Sequence, residues 1–130
     1  MELIHIPMSP GELLDKITIL EIKSERMSDP EKLANVRHEL ELLNATWRKA
    51  VGEDDTVRRI HAELKGINEE LWVIEDDIRD KERAKAFDQR FIELARAVYF
   101  TNDRRSVVKK ELNQYLGSSI VEEKSYQDYS

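Results

Sequence analysis

From Ser9 to Met27 the chain reads SPGELLDKITILEIKSERM, and its apolar positions do not fall on a single stripe. Leu13, Leu14, Ile17, Ile19, Leu20 and Ile22 crowd into ten residues and, at about 100° per residue, point in several directions. A helix with that pattern is buried on more than one side. Its start is well marked, with Ser9 as N-cap, Pro10 at the first helical position, Glu12 three residues after the cap, and Met8 and Leu13 placed as a hydrophobic staple. On the wheel Leu13, Ile17, Leu20 and Met27 form a stripe for the core. A second arc, Asp15, Ile19, Ile22 and Arg26 with Glu12, Lys16 and Lys23 beside it, mixes acids, bases and isoleucines and suits a partner, a tail or a ligand.

Ser28 or Asp29 caps the next helix, with Pro30 in its first turn, and Leu33, Val36, Leu40, Leu43, Trp47 and Val51 carry it to Gly52. A third helix starts at Asp54 or Asp55 and spaces Val57, Ile60, Leu64, Ile67, Leu71, Ile74 and Ile78 by alternating threes and fours, a heptad seam. So short a turn joins the two that residues 30–83 are expected to form a long antiparallel hairpin receiving the first helix. Beside the seam, Asn68, Trp72, Glu75 and Arg79 make a polar line. After a break at Lys81–Lys85, residues 86–117 are expected to hold two further helices. One buries Phe87, Phe91, Ile92, Ala95, Val98 and Tyr99 and stops at Thr101-Asn102-Asp103, residues that favour caps and turns. The other opens with Arg104 and Arg105, buries Val107, Val108, Leu112 and Tyr115 or Leu116, and ends at Gly117.

The ends of the chain are less regular. Leu3–Ile6 alternate weakly around His5, itself expected to be structural or exposed, and four extended residues need a partner strand. Ser118–Val121 is the other strand-like stretch, so the termini are expected to pair, within the chain or across a dimer. In the tail, residues 118–130, Ile120, Val121, Tyr126 and Tyr129 argue for partial packing on the body, with the last few residues disordered.

Composition agrees with one all-α domain, a helical bundle spanning residues 1–130, with the buried helix at 8–27: 130 residues, 40% hydrophobic and 37% charged, with four glycines and three prolines. The net charge of -6 argues against duplex nucleic acid, whose binding needs a basic face to release counterions. Without cysteine there is neither a disulfide framework nor a thiolate metal site. MELIHIPM lacks the parts of a signal peptide, and no apolar run approaches a membrane span, so a cytoplasmic protein is expected.

Glycine-rich phosphate loops, a G-x-S-x-G elbow and H-E-x-x-H are all absent. What remains for chemistry is carboxylate and arginine. Glu12-x-x-Asp15 places two oxygen ligands on one helical face, and Glu75, Asp76, Asp77 and Asp80 cluster on another helix; such pairs suit magnesium. All-helical pyrophosphohydrolases hold magnesium this way, but their double-glutamate pattern is missing, and E-x-x-D arises readily among 27 acidic residues. As a plain surface feature, Glu12 and Lys16 are an i,i+4 pair worth only ~0.2–0.5 kcal/mol. Two arginines in a first helical turn oppose the macrodipole at ~0.3–1 kcal/mol each, so Arg104 and Arg105 either bracket an anion or are paired with Asp103, Glu75 or tail acids.

The stretches GELLDKITILEIK (11–23), NEELWVIEDDIR (68–79), FIELARAVYFTNDRR (91–105) and VEEKSY (121–126) resemble a family of small bacterial proteins with no assigned activity. The resemblance covers most of the chain. It implies occurrence beside sugar-transfer and cell-surface glycan enzymes, hence an accessory or sugar-nucleotide role, and carries no catalytic residue. Its stretches coincide with the polar lines: Glu12, Asp15 and Lys16; Trp72, Glu75 and Arg79; Arg96, Tyr99, Asn102 and Arg104; and Glu122 to Lys124.

Two functional classes follow. One is a non-enzymatic accessory or interaction module binding another protein. The other is an anion or nucleotide-sugar site in which Arg79, Arg96, Arg104 and Lys16 hold phosphate, while Glu12, Asp15 or Glu75 binds magnesium or moves a proton. In either case the Ile19 and Ile22 arc calls for cover, and a two-fold homodimer is the expected solution.

Overall fold

Every helix begins on a side chain that accepts from the unpaired N–H groups of its first turn. Ser9 Oγ accepts from Glu12, Asp29 from Glu31 and Lys32, Asp54 from Val57, and Asp88 from Phe91. In the computed structural model, which describes residues 1–128, these caps start four helices: α1 (Pro10–Arg26), α2 (Pro30–Ala50), α3 (Asp55–Arg83) and α4 (Gln89–Tyr115). Tyr129 and Ser130 lie outside the described residues, and with them the packing expected of Tyr129 and the extreme end of the tail.

The core is built around α1. Leu14 and Ile17 meet Trp47 of α2, Val57, Ile60, Leu64 and Ile67 of α3, and Val108 and Leu112 of α4. Helix α1 packs against each of the other three, so its apolarity on several sides is used as the sequence implies. Leu14, Ile17 and Ile22 are buried at 1% exposure or less.

The expected hairpin of residues 30–83 is replaced by a different one. Helices α2 and α3 do not approach each other closely and meet only through the shared core beside α1, and the close antiparallel pair is α3 with α4. Arg59 to Glu111 and Arg104 to Glu70 tie that pair along its length, and Lys81 to Asp88 closes its turn, where Lys85 takes a left-handed φ of 56°. The reason lies in the seam of α3, which is met by α1 and α4, whereas α2 buries Val36 and Trp47.

Two further expectations are corrected. The break at Thr101-Asn102-Asp103 does not occur, and α4 runs through it. Thr101 is buried and Asn102 accepts from Arg105 three residues on in the same helix, so side chains that could cap are occupied otherwise. Arg104 and Arg105 therefore sit in mid-helix, and no N-terminal anion site exists there. Nor is there a strand among the described residues: Leu3, Ile4 and Ile6 are exposed, and the tail crosses α4 rather than pairing with them. Ile120, Val121 and Tyr126 are exposed too, so the tail is held by its charged residues.

Near its start α1 comes very close to α4. A Cβ on Gly11 would lie 2.6 Å from the Lys109 carbonyl oxygen and 2.9 Å from Asn113 Oδ1. Only glycine fits that approach, and the Gly11 N–H donates to Asn113 Oδ1 at 2.7 Å. No helix among the described residues is long and apolar enough to cross a membrane.

Candidate functional site

One turn further along α1, the buried carboxylate of Asp15 faces α4 and α3 together, 1% exposed. Arg105 grips it at both oxygens, Nε to Oδ1 at 2.8 Å and Nη2 to Oδ2 at 2.5 Å. The Asn68 amide donates to Asp15 Oδ1 and to Thr18 Oγ1, both at 2.9 Å, while the Thr18 hydroxyl donates to the Asp15 carbonyl at 2.8 Å. Arg105 Nη1 reaches Asn102 Oδ1 at 3.2 Å. Among the described residues no buried side-chain polar atom lacks a partner, so this layer is satisfied as a buried ion pair must be. Burial pushes the Asp15 carboxyl up, but Arg105, Asn68 and Lys109 outweigh it and hold the carboxyl below its usual range.

A second ionic cluster adjoins the first at the start of α1. Lys109 Nζ donates to Glu12 at 2.6 Å and lies 3.3 Å from Glu122, whose other oxygen accepts from Ser9 Oγ at 2.7 Å. Burial works against the Lys109 charge, yet Glu12, Asp15 and Glu122 together raise its affinity for the proton.

Two open clefts flank these layers and share Asn102 and Arg105 as a wall. One, of about 550 Å³, lies between α1, α3 and α4, with Ile19, Leu71 and Trp72 as apolar surface and Lys23, Glu75 and Arg79 among its polar groups. The other, of about 720 Å³, lies on α4 under the tail, where Arg105, Lys109 and Asn113 face Glu122, Lys124 and Tyr126.

The sequence-derived candidates are thus partly gathered and partly dispersed. Trp72, Glu75, Arg79 and Asn102 line the first cleft, with Asp15 buried behind its Arg105 and Asn68 wall. Glu12 belongs to the Lys109 cluster, and Tyr99 to the cleft under the tail. Three others point elsewhere: Lys16 is exposed, Arg104 is exposed and paired with Glu70 at 2.7 Å, and Arg96 lies 5.6 Å over the Phe100 ring. Ile22 is buried rather than left for a partner, and Ile19 lines the first cleft. Sequence reasoning singled out Arg105 with Arg104 but gave it Asp103, Glu75 or tail acids as partners instead of Asp15, and it missed Lys109 and Asn113. A usable signal was the fourfold spacing of Arg105, Lys109 and Asn113, which matches the fourfold spacing of Gly11, Asp15 and Ile19 on the facing helix.

Three of the carboxylates weighed for metal-assisted chemistry are engaged. Asp15 is held by Arg105, Glu12 by Lys109, and Glu75 by Arg79 at 2.6 Å. Among the described residues no three histidine or acidic side chains group as metal ligands.

No curated protein and no solved structure matches this chain. A family model does match, over residues 4–129, nearly the whole length. The chain belongs to that family, DUF6165, a family of unknown function.

Proposed function

We propose that this chain is a non-enzymatic accessory module, and that the cleft between α1, α3 and α4 is where it holds its partner. The observation that carries this reading is the contrast inside that cleft. Two of its acids are spent on arginines, Asp15 on Arg105 and Glu75 on Arg79, while Trp72, Leu71 and Ile19 remain partly accessible beside them. Acids so neutralised are poor bases and poor magnesium ligands, but a half-exposed tryptophan ringed by paired ions resembles the anchor of a binding surface. An enzyme of cell-surface glycan assembly is the kind of partner proposed. The test is co-purification of tagged chain from its own cells: the reading expects a partner retained by the unmodified chain and lost with Trp72→Ala, and equal retention by both defeats it.

A second reading has its own observation. Lys23, Arg79 and Arg105 line the same cleft as Trp72, a combination that suits the phosphate and base of a nucleotide or nucleotide sugar. Titrating nucleotides and nucleotide sugars, with and without magnesium, against tryptophan fluorescence separates the two. Saturable quenching abolished by Trp72→Phe favours the small ligand, and phosphate release lost in Glu75→Gln would add hydrolysis to it.

Self-association as a two-fold dimer belongs to the proposal through a different surface from the Ile19 arc. Val73, Phe87, Ile92 and Phe100 are exposed on α3, the turn and α4. Light scattering of the eluting peak at micromolar concentration expects twice the chain mass, and a monomer there removes the dimer from the reading.

A further inference from the structure

The tail beyond α4 is fastened in an unusual way. From Ser119 to Asp128 every residue is exposed, and the backbone of residues 119–127 makes no hydrogen bond to the helices. What holds it across α4 is side-chain charge: Glu122 to Lys109 at 3.3 Å and to Ser9 at 2.7 Å, Glu123 to Lys110 at 4.0 Å, and Lys124 to Asp103 at 3.1 Å. Exposed ion pairs are individually weak, because water and salt screen both partners. The surface beneath is more firmly built. Lys109 is held by Glu12 of α1 and Arg105 is braced by Asp15, so both have partners that do not belong to the tail.

We infer that residues 121–126 are a displaceable strap, an internal ligand for a peptide site made by the Arg105, Lys109 and Lys110 face of α4 and Ser9 at the start of α1. The occupant that replaces it is an extended acidic segment of a partner protein with two adjacent carboxylates and a following base, the pattern of Glu122-Glu123-Lys124 itself. The site is separate from the Trp72 cleft except for the shared wall of Arg105 and Asn102, and it does not depend on the function proposed above. A strap of this kind lowers the apparent affinity for an external segment by the fraction of time the site is open. Loosening the strap therefore tightens external binding.

The experiment uses the full chain and, as probe, the acetylated peptide IVEEKSY, followed by amide chemical shifts. In the Glu122→Gln, Glu123→Gln chain the peptide is expected to give saturable shifts over residues 105–113, with apparent Kd at least about threefold below that of the unmodified chain. The shifts should weaken with salt, and IVQQKSY should fail to produce them. Lys110→Glu, at an exposed position, is expected to weaken the peptide, whereas Trp72→Ala is expected to leave its titration unchanged. No saturable shifts in the loosened chain, equal affinity for both chains, equal binding of IVQQKSY, or loss of binding in Trp72→Ala would each overturn the inference.

Discussion

At the scale of single residues, the pairing of Asp15 with Arg105 decides most. Removing one partner of a buried ion pair leaves the other charge uncompensated, so Asp15→Ala is expected to lower the unfolding free energy by about 3–5 kcal/mol in a denaturant titration. Replacing both partners, Asp15→Leu with Arg105→Met, should recover much of that loss, because the desolvation cost disappears with the charges. The same pair sets a pH dependence. The folded Asp15 carboxyl lies below its ordinary value of 3.8, so its contribution is present above that value and is lost as pH falls through the folded one. Acid unfolding of Asp15→Asn should therefore show a shallower loss of stability below pH about 4 than the unmodified chain. At Gly11 the expectation has the opposite sign from helix propensity. Alanine gains about 1 kcal/mol as a helix former, but its Cβ meets the Lys109 carbonyl, and a net destabilisation of about 1–3 kcal/mol is expected in the same titration. Of these residues Asp15 was legible as a candidate because it stood among isoleucines. The partner of Arg105 was not, because the side chains of Arg104 and Arg105 are alike in sequence and only the rotation of α4 sends one to Asp15 and the other to Glu70.

At the scale of elements, local signals located helix boundaries better than the continuity of α4. Ser9 with Pro10, Asp29 with Pro30, and Asp54 were readable because a cap satisfies groups on its own helix, a chemistry contained in four residues or so. The end imagined at Thr101-Asn102-Asp103 was wrong because Thr101 is buried, Asn102 accepts from Arg105 within α4 and Asp103 pairs with Lys124 of the tail. Partner choice was equally hidden: a heptad seam announces that α3 has partners, not that they are α1 and α4 rather than α2. Between α1 and α3 the register is carried by His61 on Glu21 at 2.8 Å, Lys65 on Glu25, and Arg26 on Glu69 at 3.8 Å. The Glu21 hydrogen bond raises the His61 pKa above 6.5, with Glu53 adding to it, while burial and Lys65 oppose. A raised histidine contributes stability fully below its unfolded value, about 6.5, and loses it as pH climbs through the folded value. The unmodified chain is thus expected to lose part of its thermal stability as pH rises above about 6.5, and Glu21→Gln to flatten that slope. An unchanged slope in Glu21→Gln would assign the dependence to another group.

At the scale of the whole molecule, α3 and α4 outrun the helix that organises them. Arg26, at the end of α1, is level with Glu69, and from Glu69 to Phe100 only Leu94 is buried. Beyond that level two helices stand on each other alone, with Val73, Phe87 and Ile92 exposed, whereas the lower half packs four helices around Leu14, Ile60, Leu64 and Leu112. A unit with so little buried apolar surface opens more easily than the core it grows from. The expected consequence is two stability levels in native-state hydrogen exchange: amides of residues 73–98 exchange through a low-energy opening, and those of residues 57–68 and 108–112 only through global unfolding. Leu94→Ala tests the separation, because it removes the one buried side chain of the outer half. Truncations of this kind cost about 2–5 kcal/mol, and here the loss should appear as faster exchange across residues 73–98 with the inner amides unchanged. If the inner amides accelerated equally, the two halves would be one cooperative unit. The outer hairpin could not then rearrange on a partner or a second copy without unfolding the whole chain, so the same exchange measurement also decides whether its exposed apolar face can act as an adaptable surface.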